Sequence, residues 1–551
     1  MEKNNRGSEW RKWDLHVHTK GTNKNDQFSS SSMEDFLFIF FKKAIEQNIS
    51  AIGVTDYFSI ERYLEVEEYK KNIRNKKDAY GNQSFSKEEI KYIEQIFIFP
   101  NVELRMLPST DKGRLINIHF IFNPKPDFIR NLNNDFFGEL RNQDGFKMNR
   151  QGLINYGKNL DSSIIDDNKA YKEGINNFTL DISTIKELLN KNTLLRENSI
   201  VVVSNSSVDG ASGMQKHYEL FENESGSLAG VRKTIYETSH AIFSANPKDA
   251  KFFLGRKSQG NNGYNHKIYL QEVKEVIQKV GSLKPCLVGC DAHKEEDLFT
   301  KFTWIKADTT FEGLRQIIYE PEERVRVQEN SPELDFEKPF FSSIEFVDDE
   351  KIFEDDEIRF AQSTEKIPLN PNLVAIIGGR GEGKSMLMDY ISTSFYNKKS
   401  SKSGNYVKDG NIEVIYSKTI KNKKEVEKFP IGKDSNHALD FIYINQGELK
   451  NIVEDKQQKS KLADEISKMA NIQEVVFDED LDRDVNEKLD ELHEVIEFLD
   501  NEKNNIEKLE IQETKLQEFI KNITTDKNRE KLQNYSKILE EITSEKEKKQ
   551  N

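Results

Sequence analysis

A glycine-rich segment constrains this sequence more than any other feature. The apolar run at residues 373–377 leads into G-x-x-x-x-G-K-S at residues 378–385, and apolar residues at helical spacing follow. Such glycines let backbone N–H groups approach phosphates, while the lysine reaches the β- and γ-phosphates and the serine coordinates Mg²⁺. We therefore predict a strand, a phosphate-binding loop and a helix that bind ATP with Mg²⁺. The predicted nucleotide-binding residues are Gly378, Gly379, Arg380, Gly381, Glu382, Gly383, Lys384 and Ser385.

Length and composition limit the number of domains and the classes of protein that are possible. A chain of 551 residues is long enough for about three domains. Its net charge of -14 argues against a protein that coats nucleic acid with a uniformly basic surface. It does not exclude a local basic groove, because net charge does not report how charge is distributed. Two cysteines cannot build a disulfide framework, and the polar N-terminus lacks an apolar signal core. With no apolar run of about 18 residues, we predict a cytoplasmic protein without a membrane partner.

Strand-like and helix-like patterns alternate in the first 330 residues. Strand-like runs end near His18, Thr55, Leu107, Phe122 and Ser204, and two shorter runs follow at 240–245 and 286–291. Helical patterns cover 33–48, 181–191 and 267–280. This alternation favours parallel strands with crossover helices. By contrast, residues 123–178 are rich in Asn, Asp and Gly and predict irregular insertions.

Several of the nine histidines lie in or directly after these strands. His16 and His18 are two residues apart, so a strand places both imidazoles on one face. Glu103 and His119 lie in later strands, while Asp291 and His293 follow another. Each of these histidines taken singly is more often structural, but the set predicts a site for Zn²⁺, Mn²⁺ or Fe²⁺.

The order of these residues resembles a known family. DLHVHT at residues 14–19, TDY at 55–57, Glu103, His119 and CDAH at 290–293 are similar to the motifs of the PHP (polymerase and histidinol phosphatase) superfamily. The resemblance implies an α/β fold, a distorted β/α barrel with a phosphoesterase site for two or three divalent metals. The implied metal ligands are His16, His18, Glu103, His119, Asp291 and His293, with Glu103 bridging. The implied catalytic side chains are Asp56, His119 and His293.

Three positions depart from the family pattern. Tyr57 and Asn205 stand where the family has histidine, and Asp26 is the candidate for an acidic ligand expected soon after His18. These departures leave open the alternative that the domain lacks some of its metal ligands and is inactive. The segment at 302–325, together with 206–210 and 241–249, also resembles a narrower group, the TrlF family, that couples a PHP domain to an SMC-like ATPase.

The C-terminal part resembles half of an ABC- or SMC-type ATPase head. Gln446 ends a strand-like run and matches the Q-loop glutamine of such ATPases, which implies contact with Mg²⁺ and the attacking water. From residue 457 onward, charged residues alternate with apolar ones at helical spacing, including Leu489, Leu492 and Ile496. This pattern predicts a coiled-coil arm, with a disordered charged tail as the alternative. The run at 475–480 is similar to a Walker B strand but lies between helical segments, so we interpret it as a chance match.

Together these features predict four segments and a function. The segments are a PHP domain (1–330), a linker (331–357), the N-terminal lobe of an SMC-like ATPase (358–456) and coiled-coil helices (457–551). The leading hypothesis is a metal-dependent phosphodiesterase, a nuclease, regulated by ATP in DNA or RNA processing, repair or anti-phage defence. The alternatives are a degenerate nucleic-acid-binding or sensing clamp and a small-molecule phosphatase. Expected partners are nucleic acid, a second copy through the head and coiled coil, and a separate C-terminal ATPase lobe.

Overall fold

The computed structural model describes residues 6–77, 80–214, 227–258, 266–335, 340–346, 367–380, 384–385, 387–388, 410–418, 423–430, 479–523 and 525–550. A nine-stranded sheet organises the part before residue 330. Its strands are β1 (Trp10–His18), β2 (Ile49–Tyr57), β3 (Phe97–Met106), β4 (Ile116–Phe122), β5 (Ser199–Ser204), β6 (Ala241–Phe243), β7 (Cys286–Leu287), β8 (Thr303–Lys306) and β9 (Val325–Arg326).

The sheet is mixed, with the order β7-β6-β5-β4-β3-β2-β1-β8-β9. As predicted, parallel pairing joins β1 to β2 and β2 to β3, and it also joins β5, β6 and β7. The strand β4 is antiparallel to both β3 and β5, so these two connections are not parallel crossovers. Two antiparallel strands, β8 and β9, extend the sheet beyond β1.

The sheet curls into a nearly closed barrel because the chain after β7 returns to β1. The backbone N–H of Asp291 donates to the carbonyl oxygen of His16 at 2.8 Å, and Val17 pairs with Ala292 in a parallel bridge. Gly289 makes this approach possible, since a Cβ there would lie 2.5 Å from the backbone nitrogen of His16. The closure brings Asp291 beside the end of β1.

Helices cover the outside of the sheet and build the core against it. The first helix begins after Ser32, whose side chain accepts a hydrogen bond from the N–H of Asp35, as the sequence predicted, and it buries Phe36, Phe40 and Phe41. The helices are α1 (Met33–Glu46), α2 (Glu61–Lys71), α3 (Lys87–Gln95), α4 (Pro126–Leu132), α5 (Arg150–Leu160), α6 (Asp167–Asn177), α7 (Ile182–Lys191), α8 (Thr193–Glu197), α9 (Ser227–Thr238), α10 (Pro247–Phe253), α11 (His266–Val280), α12 (Phe311–Tyr319) and α13 (Pro321–Arg324).

The prediction of irregular structure at residues 123–178 was wrong, because α4, α5 and α6 lie there. Apolar residues spaced through the polar sequence, such as Leu153, Ala170 and Ile175, are buried and provide the packing that stabilises these helices. The helices α5 and α6 cross at two glycines. A Cβ on Gly157 would lie 1.9 Å from the carbonyl oxygen of Ala170.

Replacing Gly157 with alanine should therefore destabilise the protein. The added methyl group must push α6 away from α5, and overpacking of this kind costs about 1–3 kcal/mol of unfolding free energy. Denaturant-induced unfolding measures the change. The matched control is Gly230→Ala in α9, where an added Cβ has no atom within 4 Å. That control should be neutral or slightly stabilising, and equal losses in both variants would contradict the crossing argument.

A second, four-stranded sheet follows the barrel in the chain. Its strands are β10 (Phe340–Phe346), β11 (Ile367–Pro368), β12 (Gly410–Lys418) and β13 (Lys423–Pro430), in the order β11-β10-β12-β13 with antiparallel pairing. The strand β10 lies inside the segment 331–357 that was predicted as linker. Irregular structure was therefore the wrong prediction for residues 340–346, where Ile344 is buried and the backbone pairs with β12.

Residues 479–523 and 526–550 are helical, as the apolar spacing predicted. They form α14 (Glu479–Ile523) and α15 (Asp526–Gln550). Leu489, Leu492, Ile496 and Leu499 are all exposed on α14. Pairing of these residues in a coiled coil stays a prediction. Among the helices that the structure describes, none is long and apolar enough to cross a bilayer.

Candidate metal centre

Strand register brings the predicted ligands to one level of the barrel. His18 pairs with Thr55 between β1 and β2, and Tyr57 pairs with Glu103 between β2 and β3. Glu103 in turn pairs with His119 across β3 and β4. Because side chains at paired positions point to the same face, these residues converge inside the barrel. Asp291 and His293 reach the same level through the closing segment after β7.

Four donor atoms form a compact cluster. His16 Nε2 lies 3.2 Å from His18 Nε2 and 3.4 Å from Glu103 Oε2. His18 Nε2 lies 3.4 Å from the same Glu103 oxygen. Asp291 Oδ1 completes the cluster at 3.2 Å from His16 Nε2 and 3.5 Å from His18 Nε2. Five of the six separations among these two nitrogens and two oxygens are therefore 3.2–3.5 Å.

These separations fit a divalent metal ion. A tetrahedral ion with ligands at about 2.0–2.2 Å holds them about 3.3–3.6 Å apart, close to the distances between the four atoms. Glu103 Oε2 is also buried and receives no hydrogen bond from the residues that the structure describes. A buried carboxylate oxygen without a donor is costly, and a cation removes that cost. The mixed donor set suits Zn²⁺, Mn²⁺ or Fe²⁺.

His119 is oriented to offer its Nε2 as a metal ligand beside the same cluster. Its Nδ1 lies 3.2 Å from Asn101 Oδ1, while the Asn101 amide nitrogen donates to the Leu15 carbonyl oxygen and to Thr55 Oγ1. These bonds leave the Asn101 oxygen as an acceptor, so Nδ1 of His119 carries the proton and Nε2 carries a lone pair. With His16 and Glu103, His119 forms a second group with metal-binding spacing.

Asp56, predicted as catalytic, lies behind His18 instead of among the donor atoms. Thr22 Oγ1 links the two residues, at 3.1 Å from His18 Nδ1 and 3.2 Å from Asp56 Oδ1. Asp56 also accepts hydrogen bonds from the N–H groups of Asn23 and Tyr57. Burial raises the pKa of Asp56 to about 6. The structure thus places Asp56 as a residue that positions His18, an arrangement common around metal-binding histidines.

His293 lies at the edge of the centre. Its ring stacks on His18 with centroids 4.4 Å apart, and its Nε2 is 3.6 Å from Asp291 Oδ1. Its Nδ1 is buried and has no hydrogen-bond partner among the described residues. His293 is therefore close enough to act as a further ligand or to exchange a proton with a group bound at the centre.

The three departures from the family pattern have structural explanations. Tyr57 stacks on His18, with ring centroids 4.9 Å apart, and offers a phenol in place of an imidazole. The Asn205 side chain hydrogen-bonds Tyr236 and Asp249. Asp26 is exposed and accepts from the N–H groups of its own loop. Asn205 and Asp26 are consequently engaged away from the four-atom cluster.

Electrostatic interactions favour a proton or a cation in the cluster. Burial alone would raise the pKa of Glu103, but its close contacts with the imidazoles of His16 and His18 lower that pKa well below its usual range. Burial alone would lower the pKa of His18, yet its contacts with Asp291 and Glu103 raise it to about 9. Burial lowers the pKa of His119 to about 3, so this imidazole is neutral and available to a metal.

Metal affinity should accordingly depend on pH. The raised pKa of His18 means that the metal-free centre holds a proton below pH 9, and binding must release it. We expect the affinity for Zn²⁺ to rise by about tenfold per pH unit between pH 6 and 8. The same proton stabilises the metal-free fold below pH 6.5, and that stability is lost as pH rises through 9. Calorimetric titration in buffers of different ionisation enthalpy measures the proton release; a pH-independent affinity would contradict it.

A groove of about 1010 Å³ opens at the centre. His16, His119 and Asp291 are among its lining residues, and so are Lys112, Lys248 and Lys301. The remaining wall is rich in serine, asparagine and aspartate. The groove can accept a substrate much larger than a single phosphate group.

The structure describes part of the predicted phosphate-binding loop. Lys384 Nζ donates to the carbonyl oxygens of Gly378 at 2.6 Å and Gly379 at 2.5 Å, so the loop curls around the lysine. Residues 384, 385, 387 and 388 are helical, as predicted. Arg380 lies at the end of the described loop, while Gly381, Glu382, Gly383 and Gln446 lie outside the described residues.

The predicted strand at residues 373–377 is not formed. Leu373 and Ile377 are 83% and 92% exposed, and the run forms no strand with the described residues. An apolar run becomes a strand only where neighbouring strands satisfy its backbone groups, and the two sheets described here do not extend to it.

Some residues of the centre were not among the sequence-based candidates. Asn101 orients His119, and Thr22 connects His18 to Asp56. Period-two spacing was the available signal for Asn101, because residues two positions from Glu103 point to the same face of β3. No local pattern marks Thr22, whose role depends on how the loop after β1 folds back.

Two comparisons with known proteins gave matches. A family model described as an AAA domain matches residues 351–551. A solved structure from Bifidobacterium adolescentis, itself only provisionally assigned as a metal-dependent phosphoesterase, matches 56% of this chain and 95% of its own length. The identity is 8% and the TM-score 0.23, so this likeness carries no argument about chemistry. None of the curated proteins matches the chain in sequence.

Proposed function

We propose that the barrel is a metal-dependent phosphodiesterase, a nuclease, and that ATP binding to an SMC-like head regulates it. The observation that carries the proposal is the cluster of His16, His18, Glu103 and Asp291, of which His16 and Asp291 line an open groove. Such a donor set holds a divalent ion that polarises a phosphoryl oxygen and makes bound water acidic. Its position at the groove leaves one side of the centre accessible to a long substrate.

The chain's own residues support proton transfer and orientation. His293, whose Nε2 lies 3.6 Å from Asp291 Oδ1 and whose Nδ1 is buried without a described partner, would protonate a leaving oxygen. His119, held by Asn101, would hold a second ion together with His16 and Glu103. Zn²⁺, Mn²⁺ or Fe²⁺ would serve in the barrel, and Mg²⁺ with ATP in the head.

The AAA-domain match and the loop around Lys384 support nucleotide control. A phosphate-binding loop joined to long helices is typical of ATPases that clamp nucleic acid, so DNA or RNA is the proposed partner. We include pairing with a second copy through α14 and the head, and a role in repair or anti-phage defence, in the same proposal. These last steps rest on analogy with such machines.

The test is a substrate panel with the full chain and Mn²⁺. It compares single- and double-stranded DNA, RNA, nucleoside monophosphates and histidinol phosphate, with and without ATP, beside His16→Ala. We expect cleavage of a polynucleotide, its loss in His16→Ala, and a change in rate on adding ATP. Release of phosphate from the small molecules alone would overturn the nuclease proposal in favour of a phosphatase.

A second candidate is a clamp that binds nucleic acid without cutting it. Tyr57 and the engaged side chain of Asn205 favour it, because they remove two imidazoles from the family's metal set. In the same panel, this candidate requires polynucleotide binding that persists in His16→Ala, with no cleavage in either protein.

A further inference from the structure

Two cations approach the metal centre from the side of Tyr57. Arg105 lies two residues after Glu103 on β3, so its side chain leaves the strand on the same face. Its Nη2 is 3.1 Å from Glu103 Oε1, and its guanidinium carbon lies 5.4 Å from the Tyr57 ring centre. The half-buried Lys24, on the loop after β1, places Nζ 5.8 Å from the same ring centre. Both cations thus surround one phenol that stacks on His18.

The charges of this region do not balance once a metal is bound. Glu103 and Asp291 supply two negative charges, which a divalent ion neutralises. Arg105 and Lys24 then add two positive charges. Burial lowers the pKa of Lys24, and repulsion from Arg105 lowers it further. Like charges held together in a partly buried place favour an anion between them.

The groups around Tyr57 suit phosphate oxygens in particular. A guanidinium presents paired N–H donors that match a phosphate, and lysine adds a mobile point charge. The phenol of Tyr57 lies beside both cations and has an O–H that can donate a hydrogen bond to a phosphate oxygen. Glu103 itself directs Oε2 to the two histidines and Oε1 to Arg105, which fixes the guanidinium next to the metal ligands.

We propose that Lys24, Tyr57 and Arg105 form the phosphate-binding subsite of the centre. In this subsite Arg105 and Lys24 contact the non-bridging oxygens of the substrate's phosphoryl group, while the metal ligands lie on its other side. The subsite deepens the proposed function and rests on it for the identity of the substrate.

The test uses inorganic phosphate as the probe, so it requires no turnover. Isothermal titration of phosphate into the full chain, loaded with Zn²⁺ and freed of excess metal, should show binding. Arg105→Met and Lys24→Met should each raise the Kd by about tenfold or more, since each removes a charge-assisted hydrogen bond. Arg105→Lys should recover part of the affinity. The control Arg130→Met removes a charge from exposed α4 and should bind like the wild type.

Metal content, measured in every variant by mass spectrometry, separates the subsite from the metal ligands. Arg105 contacts Glu103 directly, so its loss can weaken the metal, whereas Lys24 contacts Tyr57 and interacts with Glu103 only through its charge. Wild-type phosphate affinity in both Met variants, at full metal content, would overturn the subsite, as would a wild type that binds no phosphate. Phosphate affinities that change as expected in the Met variants, together with no hydrolysis of any substrate, would support the subsite and refute the proposed function.

Discussion

Replacing His16 with alanine should abolish tight metal binding and phosphoester hydrolysis together. His16 Nε2 contacts Glu103, Asp291 and His18 in the cluster, and it also belongs to the second group with His119. Its loss therefore damages both possible metal positions. Because a catalytic ion contributes several kcal/mol to the transition state, we expect a rate reduction of about 10³-fold or more. Metal content by mass spectrometry and cleavage rates with Mn²⁺ measure the two effects.

The control for this variant is His493→Ala. His493 is an exposed histidine of α14 whose Nδ1 lies 3.0 Å from the Leu489 carbonyl oxygen, outside the barrel. It should leave metal content and hydrolysis unchanged. A His16→Ala protein that stays folded and keeps both its metal and its activity would remove the basis for the proposed centre.

Replacing Lys384 with alanine should abolish ATP binding while leaving the metal in the barrel. In the structure the ammonium group donates to the carbonyl oxygens of Gly378 and Gly379, so its removal loosens the loop as well as removing a charge. Charge-assisted contacts to phosphate contribute about 1.5–3 kcal/mol each, so a loss of two contacts weakens ATP by about 100-fold or more. Equilibrium binding of a fluorescent ATP analogue measures the change.

Lys488→Ala is the control, because Lys488 lies on α14 and pairs with Glu491 there. It should bind ATP normally. If ATP binding at this loop regulates cleavage, the cleavage rate of Lys384→Ala should no longer respond to ATP. A variant that has lost ATP binding yet still changes its rate on adding ATP would show that regulation acts elsewhere.

Local spacing was enough to predict part of the centre. His16 and His18 are two residues apart in an apolar strand, and strand geometry alone places both imidazoles on one face. The same rule, applied around Glu103, would also have included Asn101 and Arg105, which lie on its face of β3. Helices were predictable where apolar spacing is strong, as in α14, and were missed at α5 and α6, where Asn and Gly obscure the buried residues.

The remaining ligands depend on contacts between distant segments. Glu103 and His119 meet because β4 runs antiparallel to β3 in one particular register. Asp291 arrives only because Gly289 lets the segment after β7 close against β1. Its φ of 50° lies in the left-handed region, which aspartate tolerates better than most residues do.

Residue types and short spacings were enough to predict the chemical groups of this chain: a glycine-rich G-x-x-x-x-G-K-S segment, imidazoles and carboxylates in or after strands, and a long charged helix. These depend on residue type and short spacing, which are local properties of the chain. Tertiary structure alone decided which donors share a cluster, that Asp56 positions His18, that Asn205 is engaged elsewhere, and that Arg105 and Lys24 meet at Tyr57. Such choices depend on strand register and barrel closure, which arise from contacts between residues far apart in the chain.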